Sequence, residues 1–298
     1  MLTLQGNVRG ASVCEYLCEG MRKDTDKINA ENRHANQDFT FVELLQFCAK
    51  KKDVCRGTRI HLEVLRKGLL EKSPYIATTL IHMYVKCGLF PKAKQVFEEL
   101  STRDVAPWTS LIGGYVQDGQ SHEAIDCFYR MQSEGLYPNE VTFICILKAC
   151  GSVRSMDNGK RVHDAIVSRG LLEKNAMLGN ALVHMYAKCG DFVHAYQVLR
   201  HLPSRDEVSW SILIVGYVQA GLCHEALHCL AHMQRDGFFP NVVTFVYLLK
   251  ACGRIGAIEE GRRIHNEITT RRLLDKNIVL GNALLDMYVK CGMLAKAH

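Results

Sequence analysis

A histidine followed two residues later by a glutamate is the spacing in this sequence most typical of catalysis. It occurs as HLE at His61–Glu63 and as HNE at His265–Glu267. In zinc-dependent nucleobase deaminases an H-x-E element works together with a P-C-x-x-C element that supplies further metal ligands. The second element is missing, because the sequence contains no C-x-x-C and Cys14 and Cys18 are separated by three residues. Deamination by this chain is therefore not expected.

The histidines also belong to a repeated position. His61, His163 and His265 lie 102 residues apart (163 − 61 and 265 − 163), and the middle copy reads HDA, without the glutamate. We therefore assign all three to helix surfaces. The sequence also lacks a P-loop, a dinucleotide-binding glycine pattern and a G-x-S-x-G element. The chain is predicted not to be an enzyme and to need no cofactor.

Thirteen cysteines raise the question of disulfides or a metal site. Their number is odd, and Cys48, Cys150 and Cys252 recur at the same interval of 102 (150 − 48 and 252 − 150). Cysteines that recur at one repeat position, without metal-ligand spacing, favour small buried thiols. No metal site is predicted.

A long period organises the whole chain. Tyr84, Tyr186 and Tyr288 lie 102 residues apart (186 − 84 and 288 − 186) within the related stretches HMYVKCG, HMYAKCG and DMYVKCG, and Trp108 and Trp210 keep the same distance. A fixed long period indicates an array of repeats rather than independent domains.

Each period divides into three helical hairpins, of which residues 105–139 are a clear example. Apolar residues at three- and four-residue steps from Trp108 to Tyr115 predict one buried helix face. Gly119 ends this helix, a second begins near His122, and Pro138 follows its end. One such hairpin cannot bury its apolar faces alone, so neighbouring hairpins must stack.

The sequence therefore predicts an all-α fold, a right-handed α-solenoid of about seven full repeats plus a truncated one. The predicted repeats are 38–73, 74–104, 105–139, 140–175, 176–206, 207–241 and 242–277, with 278–298 cut off early in its second helix. Because an unfinished repeat would expose its core, we expect a fragment or an incomplete gene product, with a shed or partner-capped end as the alternative.

Composition limits the remaining possibilities. The formal net charge of +6 is compatible with a polyanionic partner, and no apolar run is long enough for a membrane span, so no membrane association is expected. Residues 1–37 are predicted to be a weakly structured leader or a degenerate repeat. Glu15, Glu19, Asp24 and Asp26 make this segment a poor organelle transit peptide.

These motifs resemble the pentatricopeptide repeat (PPR) family, and in particular its plant PLS subclass, in which long, short and P-type repeats alternate. The long repeats carry VTFICILKACG (141–151) and VTFVYLLKACG (243–253), the short ones LGNALVHMYAKCG (178–190) and LGNALLDMYVKCG (280–292), and the P-type ones Trp108 and Trp210. The resemblance covers about residues 38–298. The tetratricopeptide repeat has a similar unit length, but the KACG and AKCG endings match the PPR family instead.

The resemblance implies that single-stranded RNA is bound at one base per repeat. In the family, the fifth and last residues of a repeat read the base. Carried over to this sequence, the pairs are Thr78 with Asp104, Thr109 with Asn139, Asn180 with Asp206, and Ser211 with Asn241; Asn282 has no partner within the sequence. The long repeats have Val42, Ile144 and Val246 at the fifth position, which cannot read a base by hydrogen bonding. The RNA predicted from the family code is G-A-N-U-A-N-Y, with Y a pyrimidine.

Two further sets of residues are candidates for RNA contact, the first implied by the resemblance and the second indicated by a shared place in the repeats. The second residue of a repeat lies between successive bases, and its apolar occupants, which would stack on them, are Tyr75, Val141, Met177, Val208, Val243 and Val279, with the smaller Ala106. Basic residues at one shared place near the end of the first helix would contact phosphate: Lys50, Lys86, Lys188, Arg254 and Lys290.

Two functions remain open at this point. The first is an RNA specificity module for C-to-U editing or other transcript processing in a mitochondrion or chloroplast, with a deaminase or processing factor acting in trans. The second is a protein-binding helical-repeat scaffold. The sequence does not identify the transcript.

Overall fold

The computed structural model describes residues 40–101, 103–173, 175–203 and 205–293. The predicted leader, residues 1–37, and the end of the truncated repeat lie outside them. Over the described residues the secondary structure is α-helical, with two short 3₁₀ turns and no strand. The predicted all-α fold is confirmed.

The chain divides into two compact units, one ending at Gly114 and the other beginning at Tyr115. The first unit contains α1 (described over 40–51), α2 (Val54–Arg66), α3 (Pro74–Lys86), α4 (Phe90–Glu98) and the first part of α5 (Val105–Gln117). Within this unit α3 packs on both α2 and α4. Its core includes Tyr84, Phe97 and Trp108, and the rings of Phe97 and Trp108 meet edge to face at 4.7 Å between centroids.

The second unit contains the end of α5 and ten further α-helices. These are α6 (Ser121–Ser133), α7 (Glu140–Ser152), α8 (Met156–Val167), α9 (Ala176–Cys189), α10 (Phe192–His201), α11 (Glu207–Gln219), α12 (Cys223–Arg235), α13 (Val242–Ile255), α14 (Ile258–Thr270) and α15 (Ile278–Lys290). The 3₁₀ turns Leu171–Glu173 and Leu274–Lys276 precede α9 and α15.

Successive hairpins of the second unit share one core. The first helices α7, α9, α11, α13 and α15 contact one another in chain order, and α9, α11 and α13 also pack on their own second helices α10, α12 and α14. Trp210, Phe143 and Phe245 are completely buried in these contacts. These three aromatic residues are therefore packing residues, as their helical spacing predicts.

Helix ends follow from short polar residues and glycines. Asn139, Asn175 and Asn241 cap their helices by accepting a hydrogen bond from the backbone N–H three residues later. At the other end, Gly190 and Gly256 terminate α9 and α13 in the left-handed region, with φ of 84° and 68°. The first helices α7, α9 and α13 thus begin at a defined residue, which fixes what their second and fifth residues face.

Small residues set the distance between some helices. A Cβ atom on Gly159 in α8 would lie 2.5 Å from the Met185 sulfur in α9, and Gly57 and Gly261 face Met83 and Met287 in the same way. In the first unit a Cβ on Gly114 would lie 2.7 Å from a Val85 methyl carbon. Glycine at these places lets neighbouring helices or their side chains approach closely.

The assignment of the repeated histidines to helix surfaces was wrong. Nδ1 of His61, His163 and His265 lies 2.9, 2.9 and 2.8 Å from the hydroxyl of Tyr84, Tyr186 and Tyr288 respectively, and the rings meet edge to face. Each histidine is half-buried and joins the second helix of one hairpin to the first helix of the next. A polar residue that finds a buried hydroxyl partner is stable inside a helix interface.

Acidification is expected to weaken these contacts. Desolvation by burial lowers the pKa of His163, and His194 lowers it further, while Asp164 opposes the change. The unfolded chain therefore binds a proton more readily, so the stability from neutral His163 is complete above the ordinary histidine pKa of about 6.5 and is lost as the pH falls below it.

We predict that urea stability falls between pH 7 and pH 5.5, and that it falls less steeply in His163→Phe. His122→Phe is the control, because His122 is exposed on α6. In this variant the slope of stability against pH should equal that of the wild type. An equal slope in His163→Phe and the wild type would contradict this account.

Candidate nucleic-acid interface

An exposed apolar residue stands at the start of each first helix from α3 to α15. The six large residues predicted to stack on bases are the second residues of α3, α7, α9, α11, α13 and α15, and their side chains are between 50% and 80% exposed. The set is Tyr75, Val141, Met177, Val208, Val243 and Val279. Ala106, second in α5, is also exposed. Single exposed apolar residues are common, but repetition at one position indicates a surface that contacts a partner.

In α3, α5, α9, α11 and α15 a polar residue follows three positions later, on the same face of the helix. Thr78, Thr109 and Ser211 are the fifth residues of α3, α5 and α11, and each hydroxyl donates to the carbonyl four residues earlier, at 2.8, 2.8 and 2.7 Å. Because these hydrogens are engaged within the helix, the hydroxyls would meet a base as acceptors. Asn282, fifth in α15, is exposed. Ser211 is only 8% exposed, so reading by its repeat depends more on Asn241.

The predicted last-position readers cap the helix that follows them. Asn139, Asp206 and Asn241 accept through Oδ1 from the backbone N–H of Thr142, Ser209 and Thr244, at 2.9, 2.8 and 3.0 Å. Asp104 instead accepts from the N–H of Ala106 at 3.0 Å. Since the cap uses Oδ1, the other end atom of each side chain, Nδ2 or Oδ2, is the one that would meet a base.

Two of the predicted reading pairs are brought together in the second unit. Asn180 and Asp206 both contact the hydroxyl of Ser209, at 2.6 and 2.7 Å. Asn241 Nδ2 lies 3.5 Å from the hydroxyl oxygen of Ser211. Thr78 and Asp104 lie in the first unit, whereas Thr109 and Asn139 belong to different units.

Asp206 is held in its charged form. Desolvation raises the pKa of this carboxyl, but hydrogen bonds from Ser209 and Asn180 outweigh it, and the net pKa is lowered. Asp206 is therefore an ionised acceptor at neutral pH, beside an amide that can both donate and accept. This combination matches the N3–H donor and the carbonyl acceptors of uracil.

The basic residues predicted to contact phosphate are all exposed near the ends of first helices. Lys188 lines a groove of about 460 Å³ together with Arg154, His184 and Gln219, and donates to Gln219 at 3.3 Å. Two further members have protein partners: Arg254 donates to the Val218 carbonyl at 2.7 Å, and Lys290 pairs with Asp286 at 2.6 Å. Lys50 and Lys86 are therefore the better placed for phosphate.

Val42, Ile144 and Val246 are half-buried apolar residues and offer a base no hydrogen bond. The part of the chain that the structure describes also holds no group of three or more histidine, cysteine or acidic side chains arranged for a metal ion. Among the helices described, none combines the length and apolarity that a membrane crossing demands.

Family models match the repeats directly. A model described as the PPR repeat family matches residues 103–152 and 205–254, and one described as the PPR repeat matches residues 75–105 and 180–206. These ranges contain all eight residues of the four predicted reading pairs.

Curated relatives match most of the chain. A chloroplastic pentatricopeptide repeat-containing protein of Arabidopsis thaliana is 36% identical over 87% of this chain and 42% of its own length. A mitochondrial one from the same plant is 35% identical over 88% of this chain and 38% of its own length. The chain thus spans about two fifths of the length of these relatives. Their names agree with the expected location in a mitochondrion or chloroplast.

Among solved structures, a tetratricopeptide repeat protein from Parabacteroides merdae is similar, with a TM-score of 0.52 and 14% identity, over 85% of this chain and 99% of that one. This likeness supports the helical-repeat fold alone.

Proposed function

The chain belongs to the pentatricopeptide repeat family, and from this premise we propose that its repeats bind single-stranded RNA sequence-specifically. Within the family we place it in the PLS subclass. As a module of a longer organellar protein, it would select transcripts for C-to-U editing or other processing. The chemistry would come from a deaminase or other processing factor acting in trans.

The observation that best supports this proposal is the shared geometry of three repeat positions in the second unit. In the repeats that begin with α9 and α11, an exposed apolar side chain at the second position precedes a polar side chain at the fifth, and a capping Asp or Asn follows at the last. An apolar residue supplies a face for stacking, and the polar pair supplies donors and acceptors for a base edge. The pairing of Asn180 with the ionised Asp206 fits uracil.

The alternative, a protein-binding scaffold, has the support of the fold alone, because tetratricopeptide repeat proteins share it. A scaffold does not require polar pairs at fixed repeat positions, nor basic residues at one shared place near the end of each first helix. Salt dependence separates the two functions, since RNA binding releases counterions from the phosphates.

Lys86→Gln is expected to reduce the salt dependence of RNA binding. Each phosphate contact contributes about 0.7 to the slope of log affinity against log salt for a single strand, so the slope should fall by about that amount. Lys94→Gln is the matched control, because Lys94 is exposed on the second helix α4 and pairs with Glu98 at 3.9 Å. Fluorescence anisotropy at four salt concentrations measures both slopes. Equal slopes for the two variants would remove Lys86 from the interface, and no binding at any salt would favour the scaffold.

A further inference from the structure

Three buried hydroxyls lie directly beneath the predicted last-position readers. Thr142, Ser209 and Thr244 are the third residues of α7, α11 and α13, and all three are completely buried. Each donates its backbone N–H to the capping oxygen. Each hydroxyl also lies 2.7 to 3.0 Å from that same oxygen of Asn139, Asp206 or Asn241.

Two of these hydroxyls also reach the fifth residue of the preceding repeat. Ser209 Oγ lies 2.6 Å from Asn180 Oδ1, and Thr244 Oγ1 lies 2.7 Å from Ser211 Oγ. One buried hydroxyl, which donates its single proton to one of them at a time, therefore lies between the fifth and the last residue of a repeat. Both are the side chains that would face the same base.

Capping does not explain the hydroxyl. Asn175 caps α9 in the same manner, through the N–H of Leu178 at 3.1 Å, and the third residue of that helix is the apolar Leu178 itself. Asn175 ends a long repeat whose fifth residue is Ile144. A first helix of this fold can therefore be capped without a hydroxyl at its third position.

The occurrence of the hydroxyl instead follows the polarity of the fifth residue one repeat earlier. Where that residue is Val42, Ile144 or Val246, the next helix has Ile76, Leu178 or Leu280 at its third position. Where it is Thr109, Asn180 or Ser211, the third residue is Thr142, Ser209 or Thr244. Thr78 is the exception, because it is followed by Pro107.

We propose that Ser209 and Thr244 are positioning residues, which hold the fifth and last side chains of the preceding repeat in the arrangement that reads a base. This inference rests on the proposed RNA binding and deepens it. A reading pair held by a third, buried group loses less freedom when a base binds, and therefore discriminates more sharply. The pair Thr78 and Asp104, with Pro107 beneath it, should discriminate less than Asn180 with Asp206.

The test compares Ser209→Ala and Thr244→Val in the full chain. The probes are single-stranded RNAs based on G-A-N-U-A-N-Y in which U, or the A after it, is replaced in turn by each other base. Ser209→Ala should lower the preference for U by about tenfold and leave the preference for that A unchanged, whereas Thr244→Val should do the reverse. The conservative variants Ser209→Thr and Thr244→Ser should restore the preferences.

A merely structural role would give a different pattern. Loss of preference at both bases in each variant would show general weakening of the fold and overturn the proposal, as would preferences that stay at the wild-type level. If the wild type itself shows no base preference, the proposed function fails, and the positioning role fails with it.

A second measurement needs no RNA. Because hydrogen bonds from Ser209 help to lower the pKa of Asp206, that pKa should rise in Ser209→Ala and return in Ser209→Thr, as followed by carboxyl carbon NMR. An unchanged pKa in Ser209→Ala would show that Ser209 does not hold Asp206, and would overturn the proposal even if RNA binding is confirmed.

Discussion

Asn180→Thr will change the base preferred by its repeat from uracil to guanine. The substitution creates a Thr with Asp206, the same combination as Thr78 with Asp104, which is predicted to read guanine. The substitution removes the amide that would form hydrogen bonds with uracil. Asp206 remains as an acceptor for the N–H groups on the guanine edge. Because a well-formed base contact contributes roughly 1–3 kcal/mol of discrimination, the ratio of the two affinities should change by about tenfold or more.

Competition between two RNAs that differ only at this base measures the change. Asn266→Thr is the control, since Asn266 is exposed on the second helix α14 and belongs to no predicted reading pair. That variant should keep the preference for uracil. If Asn180→Thr weakens binding to both RNAs equally, the residue supports affinity without reading the base.

Trp210→Ala will have the largest effect on stability. Trp210 is completely buried in α11, and its ring meets that of Tyr196 edge to face at 6.4 Å between centroids. The indole N–H has no hydrogen-bond partner among the described residues, so the loss is one of packing. Removal of a buried tryptophan costs about 3–5 kcal/mol.

Val208→Ala is the matched control, because Val208 lies two residues earlier on α11 and half of its side chain is exposed. Its effect on stability should stay within about 0.5 kcal/mol, whereas its affinity for RNA should fall several-fold. Urea unfolding and hydrogen exchange of α9, α11 and α13 measure the stability effects locally, which suits an array of repeats. Similar destabilisation by both variants would contradict the assignment of Val208 to the surface.

Much of the fold could be predicted because each hairpin repeats the same physical pattern. Apolar residues at helical spacing around Trp108 and Trp210 had to be buried by neighbouring hairpins, and they are. The exposure of Val208 and its counterparts is harder to predict, because an apolar residue close in sequence to a buried tryptophan is itself expected to be buried. Its repeat position provided the signal, through the resemblance to a family.

The histidine–tyrosine pairs could not be predicted from local patterns. His163 and Tyr186 lie on different helices, and a helical period reports only on one helix at a time. A signal was nevertheless present, since each histidine precedes its tyrosine by 23 residues in all three copies (84 − 61, 186 − 163 and 288 − 265). A constant separation between two repeated polar residues indicates a contact.

The buried hydroxyls were missed for a related reason. Asp and Asn are favoured residues at a helix start, so Asp206 accounts for the start of α11 without any further role for Ser209. Its contact with Asn180 depends on how the first helices pack, which the sequence of one repeat does not contain. Comparison with the apolar third residues of α9 and α15 was the available signal.

The most direct test is binding of the full chain to single-stranded RNA containing G-A-N-U-A-N-Y, against the same RNA with G and U exchanged, at two salt concentrations. The account predicts tighter binding to the first RNA at both salts, and loss of this preference in Asn180→Ala. Equal affinity of the wild type for the two RNAs would contradict base reading by these repeats.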